Sequence, residues 1–254
     1  MTRLVLAWHG SADPRSVANT HDVVDHVRRI RPSLDVQAAF LDHATPTLED
    51  ALSADRRRAI VVPILLADAY HARIDIPHRI SKSAAQKTIQ ANVLGHDGRL
   101  VRVLRQRLAE AGVSPHDPGL GVIAVAVGSS HDAANAHTAT VAQALGIATR
   151  WAGASIAFAT GPHPSLAEAA ELLTDRGARR LVIAPWFLAP GRITDRVATE
   201  AGVHGIHMAL PIGAHPLVAE VILDRYDAAC SSPCAASLMD RFSSHGLAVA
   251  CRGV

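Results

Sequence analysis

The chain has no GxxxxGK[ST] loop, and no GxGxxG follows any of its apolar runs. Those absences argue against ATP use and against a bound dinucleotide. Cysteine is scarce: Cys230, Cys234 and Cys251 all fall within the last 25 of 254 residues. An odd number confined to one end builds no disulfide framework, and Cys230-x-x-x-Cys234 is poor cluster spacing. No basic residue lies within three positions of Cys230 or Cys234 to lower a thiol pKa, so the tail is read as packing material. The formal net charge is only +2. Arg56-Arg57-Arg58 is the one run of three cations, which leaves no basic footprint for nucleic acid. No stretch nears the ~20 apolar residues of a membrane span. The apolar run after Met1 is too short for a signal-peptide core and meets His9 directly. A cytoplasmic protein without nucleic-acid or membrane partners is the expectation.

What is present describes a folded α/β protein. Hydrophobic residues make up 49% and charged residues 19%, enough to build one large core or two smaller ones. Ile60–Leu66 is apolar without helical period, as in a strand buried on both faces. Leu4–Trp8, Leu34–Leu41 and Thr88–Leu94 read as further strands. Between them, Val17–Arg31, Thr45–Ala54, Asp75–Ala85 and Arg99–Ala111 carry helical spacing, with Thr45 as N-cap and Pro46 in first position. The alternation predicts a parallel sheet with helices on both faces.

After Val113–Gly119 the pattern starts again. Strands are expected at Val122–Val127, Ala154–Ala159, Leu181–Phe187 and Gly205–Leu210, with helices ending at Leu145, Asp175, Ala201 and Ala229. The halves are a repeat: Pro46 and Pro164, Leu48 and Leu166, Ala51 and Ala169 are each 118 apart, and Pro63 and Pro185 are 122 apart. The reading is two similar domains, 1–114 and 119–229, with a cleft between them and a tail at 230–254. Fusion of two halves makes a monomer the expected state.

Three polar residues follow the ends of three different strands in the first half: His9, Asp42 and His71. In open α/β sheets ligands bind at that edge. Two imidazoles and a carboxylate suit a borderline divalent metal such as Fe²⁺, Co²⁺, Ni²⁺ or Zn²⁺, with positions left open for a substrate. The second half offers Gly128 opposite His9, Thr160 opposite Asp42, and no histidine in Leu188–Arg196. The chemistry is therefore assigned to the first half and a wall to the second.

Taken together, HGS-x-DPR, AFLD-x-A-x-P and VVPILLADAYH-x-R-x-DIP resemble the sirohydrochlorin cobaltochelatases and ferrochelatases, over residues 1 to about 229. The resemblance implies a pair of ferrochelatase-like α/β domains and ATP-independent insertion of Fe²⁺ or Co²⁺ into sirohydrochlorin, for sirohaem or cobalamin synthesis. The metal is then a substrate, and no nucleotide is required. It also implies that His9 and His71 are catalytic and bind the metal, with Asp42 a further ligand where the family more often has the longer Glu. Sirohydrochlorin carries eight carboxylates, which calls for cations and N–H donors around the cleft. Arg15, Arg73 and Arg192 are the candidate cations, with Ser11, Ser129 and Ser130 in the two strand-to-helix turns. A non-catalytic metal or tetrapyrrole carrier is the alternative, distinguished by binding stoichiometrically without turnover.

Overall fold

The computed structural model describes residues 2–55, 57–83 and 88–231. Strands β1 (Arg3–Trp8), β2 (Val36–Phe40), β3 (Ala59–Pro63) and β4 (Thr88–Gln90) form one parallel sheet in the order β2-β1-β3-β4. Strands β5 (Leu120–Ala126), β6 (Gly153–Phe158), β7 (Arg180–Pro185) and β8 (His207–Met208) repeat it as β6-β5-β7-β8. Every pairing is parallel, as the runs of residues buried on both faces require.

Register corrects one alignment. Trp8 pairs with Phe40 and Ala126 pairs with Phe158, so Val127, not Gly128, stands where His9 does. Gly128 matches Gly10, and both have positive φ.

The helices are α1 (Pro14–Ile30), α2 (Leu48–Ala54), α3 (Ile76–Lys82), α4 (Gly98–Glu110), α5 (Asp132–Gly146), α6 (Leu166–Asp175), α7 (Arg192–Val203) and α8 (Pro216–Ser231). A π-helical turn, His71–Asp75, runs directly into α3. Thr45 is not the cap of α2. The Pro46 carbonyl accepts the Phe40 N–H at 3.0 Å, which keeps this segment extended, and Thr47 caps instead, its hydroxyl accepting the Asp50 N–H at 3.1 Å. Helix α1 starts earlier than its apolar spacing shows, because Asp13 caps it and Pro14 fits the first turn. Of the expected helix 75–85 and tail 230–254, residues 84–85 and those beyond Ser231 lie outside the described set.

Alternate strand residues face two different cores. Leu4, Leu6, Ile60 and Val62 join Val122, Ala124, Val182 and Ala184 in one core shared by both halves. Val5, Ala7 and Val61 face a separate cluster under α2 and α3, while Ile123, Val125 and Ile183 face another under α6 and α7. The shared core is filled by α1, α4, α5 and α8, and here the halves exchange helices: α8 packs on α1 and β3, and α4 packs on α5 and β7. Arg225 of α8 reinforces the exchange by donating to the carbonyls of Val93 and Leu94 at 3.0 and 2.9 Å. Among the described residues no helix is long and apolar enough to cross a membrane. The consequence for the site is a rigid first sheet, braced from behind, whose C-terminal edge carries the polar turns.

Candidate functional site

β1 and β3 are neighbours in register, and each is followed at its C-terminal end by a segment bearing a histidine. His9 ends β1 in the turn His9-Gly10-Ser11. Its carbonyl accepts the Asp42 N–H at 2.9 Å, which ties the ends of β1 and β2 together. Gly10 is needed there: its φ is +93°, and a Cβ would sit 1.7 Å from the Asp42 carbonyl oxygen. His71 opens the π-helical turn. Its ring stands edge-on to that of His9, with centroids 4.7 Å apart and planes at 82°. The structure thus brings the two histidines together.

The π-turn is an insertion relative to the second half. Ile76 and Val197 occupy matching places in the two outer cores, as do Ile80 and Ala201. Yet Ile76 lies one residue further from Pro63 than Val197 lies from Pro185. The extra residue is absorbed in the widened turn, where the Ile76 N–H reaches back to the His71 carbonyl. Gln90 of β4 supports the turn by donating to the Ala72 carbonyl at 2.7 Å.

Around the pair lies a set of charges that pattern reading did not single out. His71 Nδ1 meets Asp75 Oδ2 at 3.0 Å. Arg79 Nε donates to Asp75 Oδ1 at 2.7 Å, and the same guanidinium reaches Glu49 at 3.3 Å and Asp42 at 3.3 Å. His71, Asp75 and Arg79 are spaced by four, so one helical face carries all three. That spacing was the available signal. Burial opposes the charge on Asp75, but the hydrogen bonds from Arg79 and His71 outweigh it and hold its pKa below the ordinary carboxylate value. Burial likewise opposes the Arg79 charge, and its carboxylate partners keep the guanidinium firmly protonated.

Asp42 stands beside this pair by backbone position, but its carboxylate is paired with Arg79. Among the described residues no three His, Cys, Asp or Glu side chains are grouped to hold a metal. The histidine pair is the element with free donor capacity: His9 Nδ1 lies 3.3 Å from its neighbour's carbonyl, at Gly10, and His71 Nδ1 faces Asp75. Both rings therefore have Nε2 as the nitrogen with no partner among the described residues.

The outlying candidates fall in separate places. Ser11 accepts the Asp13 N–H at 3.1 Å and shapes the first turn. Arg15 pairs with Asp13 and, across the halves, with Asp195, Nη2 to Oδ2 at 2.6 Å. Arg192 opens α7 on the same rim, close enough for its charge to stabilise ionised Asp13. Arg73 pairs with Asp68 at 2.9 Å beside His71. Ser129 is engaged within its own turn, accepting the His131 N–H at 3.1 Å, and the Ser130 hydroxyl lies 3.4 Å from His131 Nδ1. A cavity of about 560 Å³ lies at the opposite edge, lined by Arg179, Arg180, His204 and His207 near the starts of β7 and β8. It shares no residue with the histidine pair, and chemistry rather than size identifies the site.

Comparison with known proteins finds one family in both halves. The CbiX family model matches twice, over residues 3–111 and 121–229. A sirohydrochlorin ferrochelatase of Priestia megaterium is 28% identical over 212 residues, covering 79% of this chain and 78% of its own. A sirohydrochlorin cobaltochelatase of the same organism is 24% identical, covering 78% of this chain and 67% of its own. Among solved structures, SirB from Bacillus subtilis with Fe³⁺ superposes with a TM-score of 0.77 at 22% identity, covering 91% of this chain and 96% of that one. That last likeness speaks for the fold.

Proposed function

The chain belongs to the CbiX family, and from that premise we propose that it inserts Fe²⁺ or Co²⁺ into sirohydrochlorin without ATP, as a lyase of sirohaem or cobalamin synthesis. The observation that carries this reading is the edge-on pair His9 and His71 at the ends of two adjacent strands. Two imidazoles offering Nε2 can take a borderline divalent ion without binding it so fully that it cannot leave. The first half holds the metal, and the second half forms the far wall of the tetrapyrrole cleft.

Insertion exchanges one divalent cation for two pyrrole N–H protons. The histidines present the metal, and groups near them receive the protons as they leave. Asp42 acts beside the pair, through charge and through its tie to Arg79, or as a ligand once that tie opens. Arg15, Arg73 and Arg192 meet substrate carboxylates, and Ser11, Ser129 and Ser130 serve through the helix-opening turns they shape. The protein works as a monomer in the cytoplasm, with the metal as substrate.

Anaerobic incubation with sirohydrochlorin and Co²⁺ or Fe²⁺ tests the proposal. The tetrapyrrole spectrum should shift faster than in the protein-free control, for many product molecules per chain. Equal rates would overturn it, and a burst stopping at one equivalent would make the protein a carrier.

A further inference from the structure

His71 is the one member of the histidine pair that is wired into a charged network. Its Nδ1 lies 3.0 Å from Asp75 Oδ2, and the other Asp75 oxygen takes the Arg79 Nε–H at 2.7 Å. Asp75 is well enclosed, its side chain only 14% exposed, whereas His71 keeps 34% of its side chain open. Arg79 is itself anchored at the far side by Glu49. The contacts therefore run Glu49, Arg79, Asp75, His71, His9, with Asp75 the most enclosed of the ionisable links.

We propose that Asp75, held in place by Arg79, is a positioning residue that fixes the ring of His71 and commits its Nε2 to the metal. The proposal rests on the reading that His71 handles the metal. An ionised carboxylate is acceptor-only, so it holds the imidazole as the Nδ1–H tautomer and leaves the lone pair on Nε2. A carboxylate behind a ligating imidazole also raises the basicity of the nitrogen that faces the metal. The contact is made within the π-helical turn. His71 stands at one end and Asp75 at the other of its five residues, with Arg79 one helical turn further on. The second half lacks the extra residue and the histidine together, and the acid of its first turn, Asp195, pairs with Arg15 instead. Arg79 has a second effect: by pairing with Asp42 it holds that carboxylate apart from the two imidazoles.

Asp75→Asn tests this, because it keeps size and removes charge. Co²⁺ alone is titrated into the protein and followed by visible absorption, and kcat and KM for sirohydrochlorin are measured beside it. The expected result is a 10–100-fold loss in Co²⁺ affinity and in kcat, the usual range for a partner behind a ligand. KM for sirohydrochlorin should stay within about twofold, since Asp75 does not face the tetrapyrrole. Wild-type Co²⁺ affinity and kcat in Asp75→Asn, with both lost in His71→Ala, would overturn the proposal. Wild-type behaviour in His71→Ala as well would overturn the reading beneath it instead. Should Asp75→Asn fail to fold, Arg79→Gln in an Asp42→Ala background, where no freed carboxylate can join the metal, is compared with Asp42→Ala alone: reduced Co²⁺ affinity supports the proposal, and unchanged affinity overturns it.

Discussion

Arg79 reaches back from α3 to Asp42, Nη2 to Oδ1 at 3.3 Å, and takes up a carboxylate that chain order alone places beside His9. The three strand-end residues are thus unequal. His9 and His71 face each other, while Asp42 looks to a cation.

The first prediction follows from that inequality. Asp42→Ala should reduce metal insertion by roughly tenfold, within the range for groups acting beside a metal rather than on it. His71→Ala should cost far more. Initial rates at saturating Co²⁺ measure both, and equal losses would put Asp42 in direct contact with the metal.

Gly10 makes the second. Any Cβ there meets the Asp42 carbonyl oxygen, and the φ of +93° is already costly for a side chain. Gly10→Ala should lower stability by about 2 kcal/mol or more. Gly112→Ala, at a positive φ with open space around it, should cost less. Urea unfolding of the two variants compares them directly.

The rim supplies the third. Arg15 is shared between Asp13, whose side chain is largely enclosed, and Asp195, and the Arg15–Asp195 pair is open to solvent on both sides. Such pairs add little stability. Arg15→Ala should raise KM for sirohydrochlorin, whereas Asp195→Ala should lower it by freeing the guanidinium, with thermal midpoints unmoved in both. Identical effects of the two substitutions would mean that the pair is merely structural.

Asp97 gives a pH dependence. It caps α4 and bonds Arg99 and, across the exchanged helices, Arg225. These contacts, led by the Arg99 hydrogen bond, hold its pKa below the ordinary value. A depressed carboxylate contributes stability that is complete above its unfolded pKa of about 3.9 and is lost as pH falls through the folded value. Asp97→Asn should therefore cost about 1–3 kcal/mol at pH 7. The gap from wild type should close below pH ~4. Urea unfolding across that range measures it, and a gap independent of pH would mean that the carboxylate charge supplies none of it.

Much of this was legible in the chain, for physical reasons. A strand buried on both faces must be apolar throughout, so Ile60–Val62 announced itself, and the repeat followed from paired prolines and leucines. His9 and His71 were visible because a parallel sheet puts such residues at one edge. The helix exchange was not. The period of α4 and α8 shows which face is buried, never against which sheet. Asp75 and Arg79 were missed because the helix was taken to begin at Asp75, which left His71 outside it and hid the spacing of four. Nothing in the local composition of His71–Asp75 marks a π-turn, and only counting against the second half reveals the added residue.

The central claim is that metal insertion runs on the histidine pair of the first half. The most direct measurement is anaerobic Co²⁺ insertion into sirohydrochlorin by four proteins: wild type, His9→Ala, His71→Ala and His131→Ala. His131 stands in the equivalent turn of the second half, as the residue before α5. The account predicts that His9→Ala and His71→Ala fall to nearly the uncatalysed rate while remaining folded, and that His131→Ala stays close to wild type. Loss of activity in His131→Ala as deep as in His71→Ala would contradict it.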